Sequence, residues 1–95
     1  MEIRTSSNTA TITGNIKSVS DFQGIKSSLD TLKATNSSIT INIKDSISIT
    51  SSIIGYFNKL VLKDKIKMEI KVGNPQLMDL LQDLNLIKVF NVRQV

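Results

Sequence analysis

The stretch IKMEIKV at residues 66–72 alternates strictly between apolar and polar side chains, and GNPQLMDLLQDL at residues 73–84 follows it directly. Alternation with a period of two is typical of a strand with one buried face. In the second stretch, Asn74 suits a helix N-cap and Pro75 suits the first helical position, where its missing N–H costs nothing. We therefore expect a strand followed by a helix whose buried stripe is Leu77, Met78, Leu81 and Leu84.

The same alternation occurs twice earlier in the chain. It predicts strands over Ala10 to Ile16 and over Ile39 to Lys44. A short strand over Glu2 to Thr5 is expected to form a hairpin with the first of these across Ser7-Asn8, and another is expected at Val89 to Val92.

Two further segments have the period of helices. Ser20 and Gln23 have the spacing of a capping box. The second helix is predicted to begin near Ser51. The apolar stripes are Phe22, Ile25, Leu29 and Leu32 in the first helix, and Ile53, Ile54, Phe57, Leu60 and Val61 in the second.

The predicted order is ββαβαβαβ, and strands joined through helices favour parallel pairing by right-handed crossovers. Because the strands alternate, one sheet face is expected to carry polar side chains and to meet solvent. We therefore predict a single α/β domain spanning residues 1–95, in which a mixed four- or five-stranded sheet carries all helices on one face.

Composition narrows the possible functions. The chain has 95 residues, with no Cys and no His. Its 12 Lys and Arg residues outnumber its 8 Asp and Glu residues, so the formal net charge is +4. The missing cysteines exclude a thiolate nucleophile and Cys-ligated zinc, and the missing histidines remove the usual general base and the commonest metal ligand. Most enzyme mechanisms are thereby excluded, and serine, lysine or carboxylate chemistry stays possible. We expect no cofactor and no metal. Since no apolar stretch approaches the roughly 18 residues of a membrane span, we expect no membrane insertion and a cytoplasmic location.

From about Thr9 to Val92 the chain resembles the STAS domains, named for sulphate transporters and anti-sigma factor antagonists. The resemblance rests on the order and spacing of four stretches. These are Ile12-Thr13-Gly14-Asn15-Ile16, the strand Ile39 to Ile43, the turn and helix Ile49 to Gly55, and the ending Leu80 to Phe90.

This resemblance implies a βα superhelix and a non-enzymatic protein–protein switch. In anti-sigma factor antagonists the domain binds a serine kinase, which phosphorylates a serine within Asp-Ser-x-Gly at the start of the second helix. The serine matches Ser51, while Thr50 stands for the aspartate and Ile53 for the glycine. Two further acidic positions of the family read Lys17 and Asn42.

We define the contact surface as Gly14 to Asp21 together with Thr50 to Lys59. Its expected partner is a serine kinase of the anti-sigma type. The alternative is that this chain is a small STAS subunit of a bacterial phospholipid ABC transporter and contacts the ATPase of that transporter. Ser51 is the phosphorylation candidate. The alternative is that Ser51, or its neighbour Thr50 or Ser52, is only the N-cap of the second helix. The expected partner-binding residues are Lys17, Ser18, Asp21, Thr50, Ser51, Ser52, Gly55, Asn58 and Lys59.

Two charge patterns carry further hypotheses. If the family fold holds, Lys17 lies near Ser51, and its positive charge would let the start of the second helix bind an anion. The alternative is that the replacement of the family's acidic residues is neutral drift. Lysines at 59, 63, 65, 67 and 71 form the densest basic stretch. Without aromatic or arginine partners to read bases, these lysines favour a solvated surface, and we expect no nucleic-acid partner.

Overall fold

The computed structural model describes all 95 residues and contains five strands and three helices. The strands are β1 (Glu2–Ser6), β2 (Thr9–Thr13), β3 (Ser38–Ile43), β4 (Lys67–Val72) and β5 (Val92–Gln94). The helices are α1 (Val19–Lys33), α2 (Ser51–Leu62) and α3 (Pro75–Asp83). The order ββαβαβαβ and the α/β class are confirmed.

The five strands form one mixed sheet in the order β1-β2-β3-β4-β5. β1 and β2 form an antiparallel hairpin, while β2, β3, β4 and β5 pair parallel. Each helix carries the chain from one parallel strand to its neighbour, which keeps the spatial order equal to the chain order. The carboxyl ends of β2, β3 and β4 therefore lie along one edge of the sheet.

The two sheet faces differ as the alternation predicts. Ala10, Ile41, Ile70 and Val92 are opposite one another on adjacent strands and all are buried. They belong to one hydrophobic cluster of 22 residues, which also contains the buried residues of all three helices. The other face carries the half-buried or exposed row Thr11, Asn42, Lys71 and Arg93.

The ends of two predicted strands are wrong. β2 ends at Thr13, and Ile16 is buried in the loop that follows. β5 begins at Val92, and not at Val89, because a turn precedes it. In that turn the Phe90 amide donates to the Leu86 carbonyl, and Asn91 has a φ of 52°.

Helix α3 begins as predicted, since Asn74 accepts a hydrogen bond from the Gln76 amide at 2.7 Å. Leu77 and Leu81 are buried, but Leu84 is 46% exposed. The helix ends at Asp83, so Leu84 is the C-cap and leaves the buried stripe. Predicting Leu84 as a core residue was wrong for this reason.

Candidate functional site

The loops that follow β2 and β3 are bound to each other by side-chain hydrogen bonds. The Gly14 amide donates to Asp45 Oδ1 at 2.7 Å, and the Ile47 amide donates to Asn15 Oδ1 at 3.1 Å. Since each loop supplies both donors and acceptors, the two loops form one unit. This unit leads directly into α1 and α2, and it fixes where these helices start.

Ser46 lies at the centre of this unit and has no solvent exposure. Its hydroxyl accepts from the Ile16 amide at 3.0 Å and donates to the Ser48 carbonyl at 2.6 Å. Ser46 is thus a positioning residue for the contact surface. Sequence reasoning missed it because Ser46 lies in a serine-rich segment with the exposed Ser48, Ser51 and Ser52, and no local pattern distinguishes the buried serine from the exposed ones.

Helix α1 begins at Val19, two residues earlier than an N-cap at Ser20 would place it. The N-cap is Ser18, whose hydroxyl accepts from the Asp21 amide at 3.0 Å, so the assignment to Ser20 and Gln23 was wrong. In return, Asp21 Oδ2 accepts from the amides of Lys17 and Ser18 at 3.0 and 3.2 Å. The hydrogen bond from the Lys17 amide is the main cause that lowers the pKa of Asp21. Asp21 therefore has a structural role besides its predicted place in the contact surface.

Helix α2 begins at Ser51, as predicted, and Thr50 is its N-cap. The Thr50 hydroxyl accepts from the Ile53 amide at 3.3 Å. Ser51 and Ser52 are exposed, and neither side chain hydrogen-bonds to the rest of the chain. Of the three residues proposed as caps, Thr50 fills that role and leaves the Ser51 hydroxyl accessible.

A shallow cleft of about 350 Å³ separates the starts of α1 and α2. Lys17 and Ser18 line one side, Thr50 and Ser52 line the other, and Val19, Phe22 and Gln23 complete it. Two distant segments of the contact surface are thus brought together. Lys17 shares this cleft with Thr50 and Ser52, the two neighbours of Ser51. Anion binding there stays a prediction.

Further along α2, Gly55 and Lys59 are exposed and Asn58 is half-buried. A Cβ atom on Gly55 would meet no heavy atom within 4 Å. No neighbouring helix of this chain therefore packs closely against Gly55. Its place among the partner-binding residues, where a glycine would leave room for the backbone of a partner, stays a prediction.

Tyr56 is 5% exposed and lies inside the molecule, although the apolar stripe predicted for the second helix did not include it. Its hydroxyl donates to Asp30 Oδ1 at 2.5 Å, and Asp30 also pairs with Lys26 at 2.9 Å. Lys33 lies 3.5 Å from Asp30 and 3.0 Å from Asp64, which follows α2. These five side chains form a polar network that connects α1 to α2.

Titration of the network follows from its burial and charges. Burial alone would raise the pKa of Asp30, but hydrogen bonds from Tyr56 and Lys26 and the charges of Lys26 and Lys33 lower it to about 2. Burial is the largest cause that raises the pKa of Tyr56, and the hydrogen bond to Asp30 is the second largest. The hydrogen bond to Asp64 raises the pKa of Lys33. Asp30 is thus held ionised and Tyr56 protonated.

The basic stretch is divided between two sides of the molecule. Lys67 and Lys71 lie on the polar face of β4, and Lys71 is 3.9 Å from Glu69. Lys59 lies on α2, which packs against the opposite face. The five lysines therefore do not form one continuous surface.

No three acidic side chains come together in a group that could hold a metal ion. None of the three helices has the length and continuous apolarity that a membrane crossing requires. Comparisons with family models, with curated proteins and with solved structures found no match to this chain.

Proposed function

We propose that this chain is a non-enzymatic protein-binding module of the STAS type, related in mode of action to the anti-sigma factor antagonists. The observation that carries the proposal is the cleft that joins the Lys17 loop to the start of α2 beside the exposed Ser51. Support also comes from the mixed sheet, which has buried helix residues on one face only, as a one-way βα superhelix would have. Such a regulator would act in the cytoplasm.

A protein partner packed on the contact surface would cover Val19, which lines the cleft and is 77% exposed. Burial of this apolar side chain would favour binding. Ile47, which is 49% exposed, lies just outside the contact surface in the loop that precedes α2. Because the loops are bound to each other, a partner would meet a largely preformed surface and lose little affinity to ordering.

In the proposed switch, Ser51 is phosphorylated by the kinase that the surface binds. A phosphate there would add about −1.5 to −2 charges at the first turn of α2. That turn contains no acidic residue, so its free amides and the positive end of the helix dipole would hold the phosphate. A partner packed on this turn would lose complementarity and dissociate.

The second candidate is an accessory subunit that contacts the ATPase of a phospholipid ABC transporter. The observation that favours it is the motif itself, in which Thr50 and Ile53 replace the aspartate and glycine of the family pattern. Thr50 retains the capping role but adds no negative charge. A permanent subunit of a transporter would need the contact surface for binding but would not need phosphorylation of Ser51 to release its partner.

Affinity capture from the source cell tests the proposal. We expect the wild type to retain a serine kinase and Ser51→Asp to lose it, while the control Ser27→Asp, at an exposed position of α1, retains it. Mass analysis after incubation with that kinase and ATP should place the phosphate on Ser51. Capture of an ABC ATPase by both the wild type and Ser51→Asp would support the second candidate. Equal binding of a kinase by all three proteins would contradict the switch.

A further inference from the structure

Strand β1 forms one edge of the sheet and has a strand neighbour on one side only. It has five residues, EIRTS, without a proline. The opposite edge strand, β5, has only three residues. Very short strands, prolines and charged side chains are the usual protection of sheet edges against pairing with another chain. β1 is longer than β5 and has no proline, and its two charged residues, Glu2 and Arg4, have opposite signs and can pair with those of a second copy. It is therefore the edge that can accept a further strand.

The hydrogen bonds of β2 show which groups of β1 are free. The Thr40 amide donates to the Asn8 carbonyl and the Lys44 amide to the Ile12 carbonyl, so alternate residues of β2 from Asn8 to Ile12 face β3. Ile12 and Ala10 are opposite Ile3 and Thr5. Because residues of an antiparallel pair alternate between bonded and non-bonded positions, the amides and carbonyls of Ile3 and Thr5 point away from the sheet.

We propose that two copies of this chain pair antiparallel through β1 and form one continuous ten-stranded sheet. The outward groups of Ile3 and Thr5 allow two symmetric registers that include Ile3. Centred on Arg4, the pairing would place two guanidinium groups directly opposite each other. In the register centred on Ile3, Glu2 of each copy is opposite Arg4 of the other copy, which gives two pairs of opposite charge. Opposite charges in directly opposed positions are favourable and like charges are not, so charge selects the register centred on Ile3.

Burial supports the same register. Ile3 is half-buried at the margin of the hydrophobic cluster, on the face that carries the helices. In the register centred on Ile3, its side chain meets its own copy and the cluster becomes continuous across the dimer. Glu2 and Arg4 lie on the polar face, where their ion pair within one chain is highly exposed, with Arg4 Nε 3.1 Å from Glu2 Oε1. Such an exposed pair is weak and is exchanged readily for a pair between copies.

Sedimentation equilibrium from micromolar to millimolar concentration at low salt tests this pairing. We expect the wild type to dimerise reversibly, and Glu2→Lys or Arg4→Glu to weaken dimerisation by about tenfold, since each creates two like-charge pairs. The double swap Glu2→Lys/Arg4→Glu should restore it. Lys67→Glu, on the polar face of β4 and away from the edge, is the control and should leave it unchanged.

Thr5→Pro provides a second test that does not depend on charge. Proline is tolerated on edge strands where the lost N–H faces outward, so this variant should fold normally and remain monomeric. A wild type that is monomeric at all concentrations, a Thr5→Pro variant that dimerises like the wild type, or a double swap as weak as the single variants would each overturn the proposal. Unchanged dimerisation in Glu2→Lys would indicate the register centred on Arg4, in which position 2 is opposite Ser6 and not opposite Arg4.

Discussion

The Tyr56 hydroxyl on α2 lies 2.5 Å from Asp30 Oδ1 on α1, and this hydrogen bond joins the two helices whose starts form the contact surface. The rings of Tyr56 and Phe22 meet edge to face nearby, with centroids 6.3 Å apart. The hydrogen bond and the ring contact both hold α1 and α2 in their relative position. The relative position of the two parts of the contact surface therefore depends on Tyr56.

Replacement of Tyr56 by phenylalanine keeps the ring contacts and removes the hydrogen bond. We expect Tyr56→Phe to lower the free energy of unfolding by about 1.5 kcal/mol, because hydrogen bonds to charged groups are stronger than neutral ones. The pKa of Asp30 should rise at the same time. Urea denaturation and an NMR titration measure the two effects. In Asp30→Asn the same substitution should cost less, and an equal cost in both backgrounds would exclude the coupling.

The low pKa of Asp30 predicts a loss of stability in acid. Its pKa is depressed from 3.8 to about 2 on folding, so its contribution is complete above pH 4 and is lost as the pH falls toward 2. The full shift would correspond to somewhat over 2 kcal/mol, and the side chain is 34% exposed, so screening reduces this to about 1–2 kcal/mol. Unfolding measured against pH should be less steep in Asp30→Asn. Asp79→Asn, on the exposed side of α3, should follow the wild type.

Removal of the Ser46 hydroxyl tests the loop unit. Ser46→Ala leaves the Ile16 amide and the Ser48 carbonyl without their partner, and we expect a cost of about 2–3 kcal/mol in unfolding free energy. Hydrogen exchange at the Ile16 amide should accelerate. Ser20→Ala, at an exposed position of α1, is the matched control and should change stability by less than about 0.5 kcal/mol. Equal effects in both variants would contradict the role of Ser46.

The capping assignment of α2 separates Thr50 from Ser51. Thr50→Ala should cost about 1 kcal/mol, because the Ile53 amide loses its acceptor. Ser51→Ala should be nearly neutral, since its hydroxyl has no partner within the chain. Thermal unfolding and exchange at the Ile53 amide measure both. A larger cost for Ser51→Ala would reverse the assignment.

Two glycines should respond in opposite directions to alanine. Gly55→Ala places a methyl group in open space on α2 and should stabilise the chain by up to about 1 kcal/mol. Gly73→Ala should destabilise it strongly, since the new Cβ would overlap the Lys44 carbonyl oxygen. If Gly55 leaves room for a partner, Gly55→Ala should also weaken capture of that partner. A stabilised variant with unchanged binding would place Gly55 outside the interface.

Several features of the fold follow from the sequence because they depend on neighbouring residues. The alternation in Ile39–Lys44 and Ile66–Val72 predicted strands with one buried face, and β3 (Ser38–Ile43) and β4 (Lys67–Val72) confirm this within one residue at each end. Asn74 and Pro75 predicted the start of α3 because capping involves the next few residues. The start of α1 was misplaced because Ser18 and Ser20 both fit a capping pattern, and only the position of Asp21 decides between them.

Tertiary structure decided what depends on contacts between distant segments. The bonds of Ser46 with Ile16, the pairing of Tyr56 with Asp30, and the cleft shared by Lys17 and Thr50 each join residues about 26 or more positions apart. No local period encodes such contacts, because they form only when the parallel strands bring α1, α2 and the loops before them side by side. The chain itself thus specified the elements and their buried faces, while the packing of α1 beside α2 on the sheet determined the contact surface.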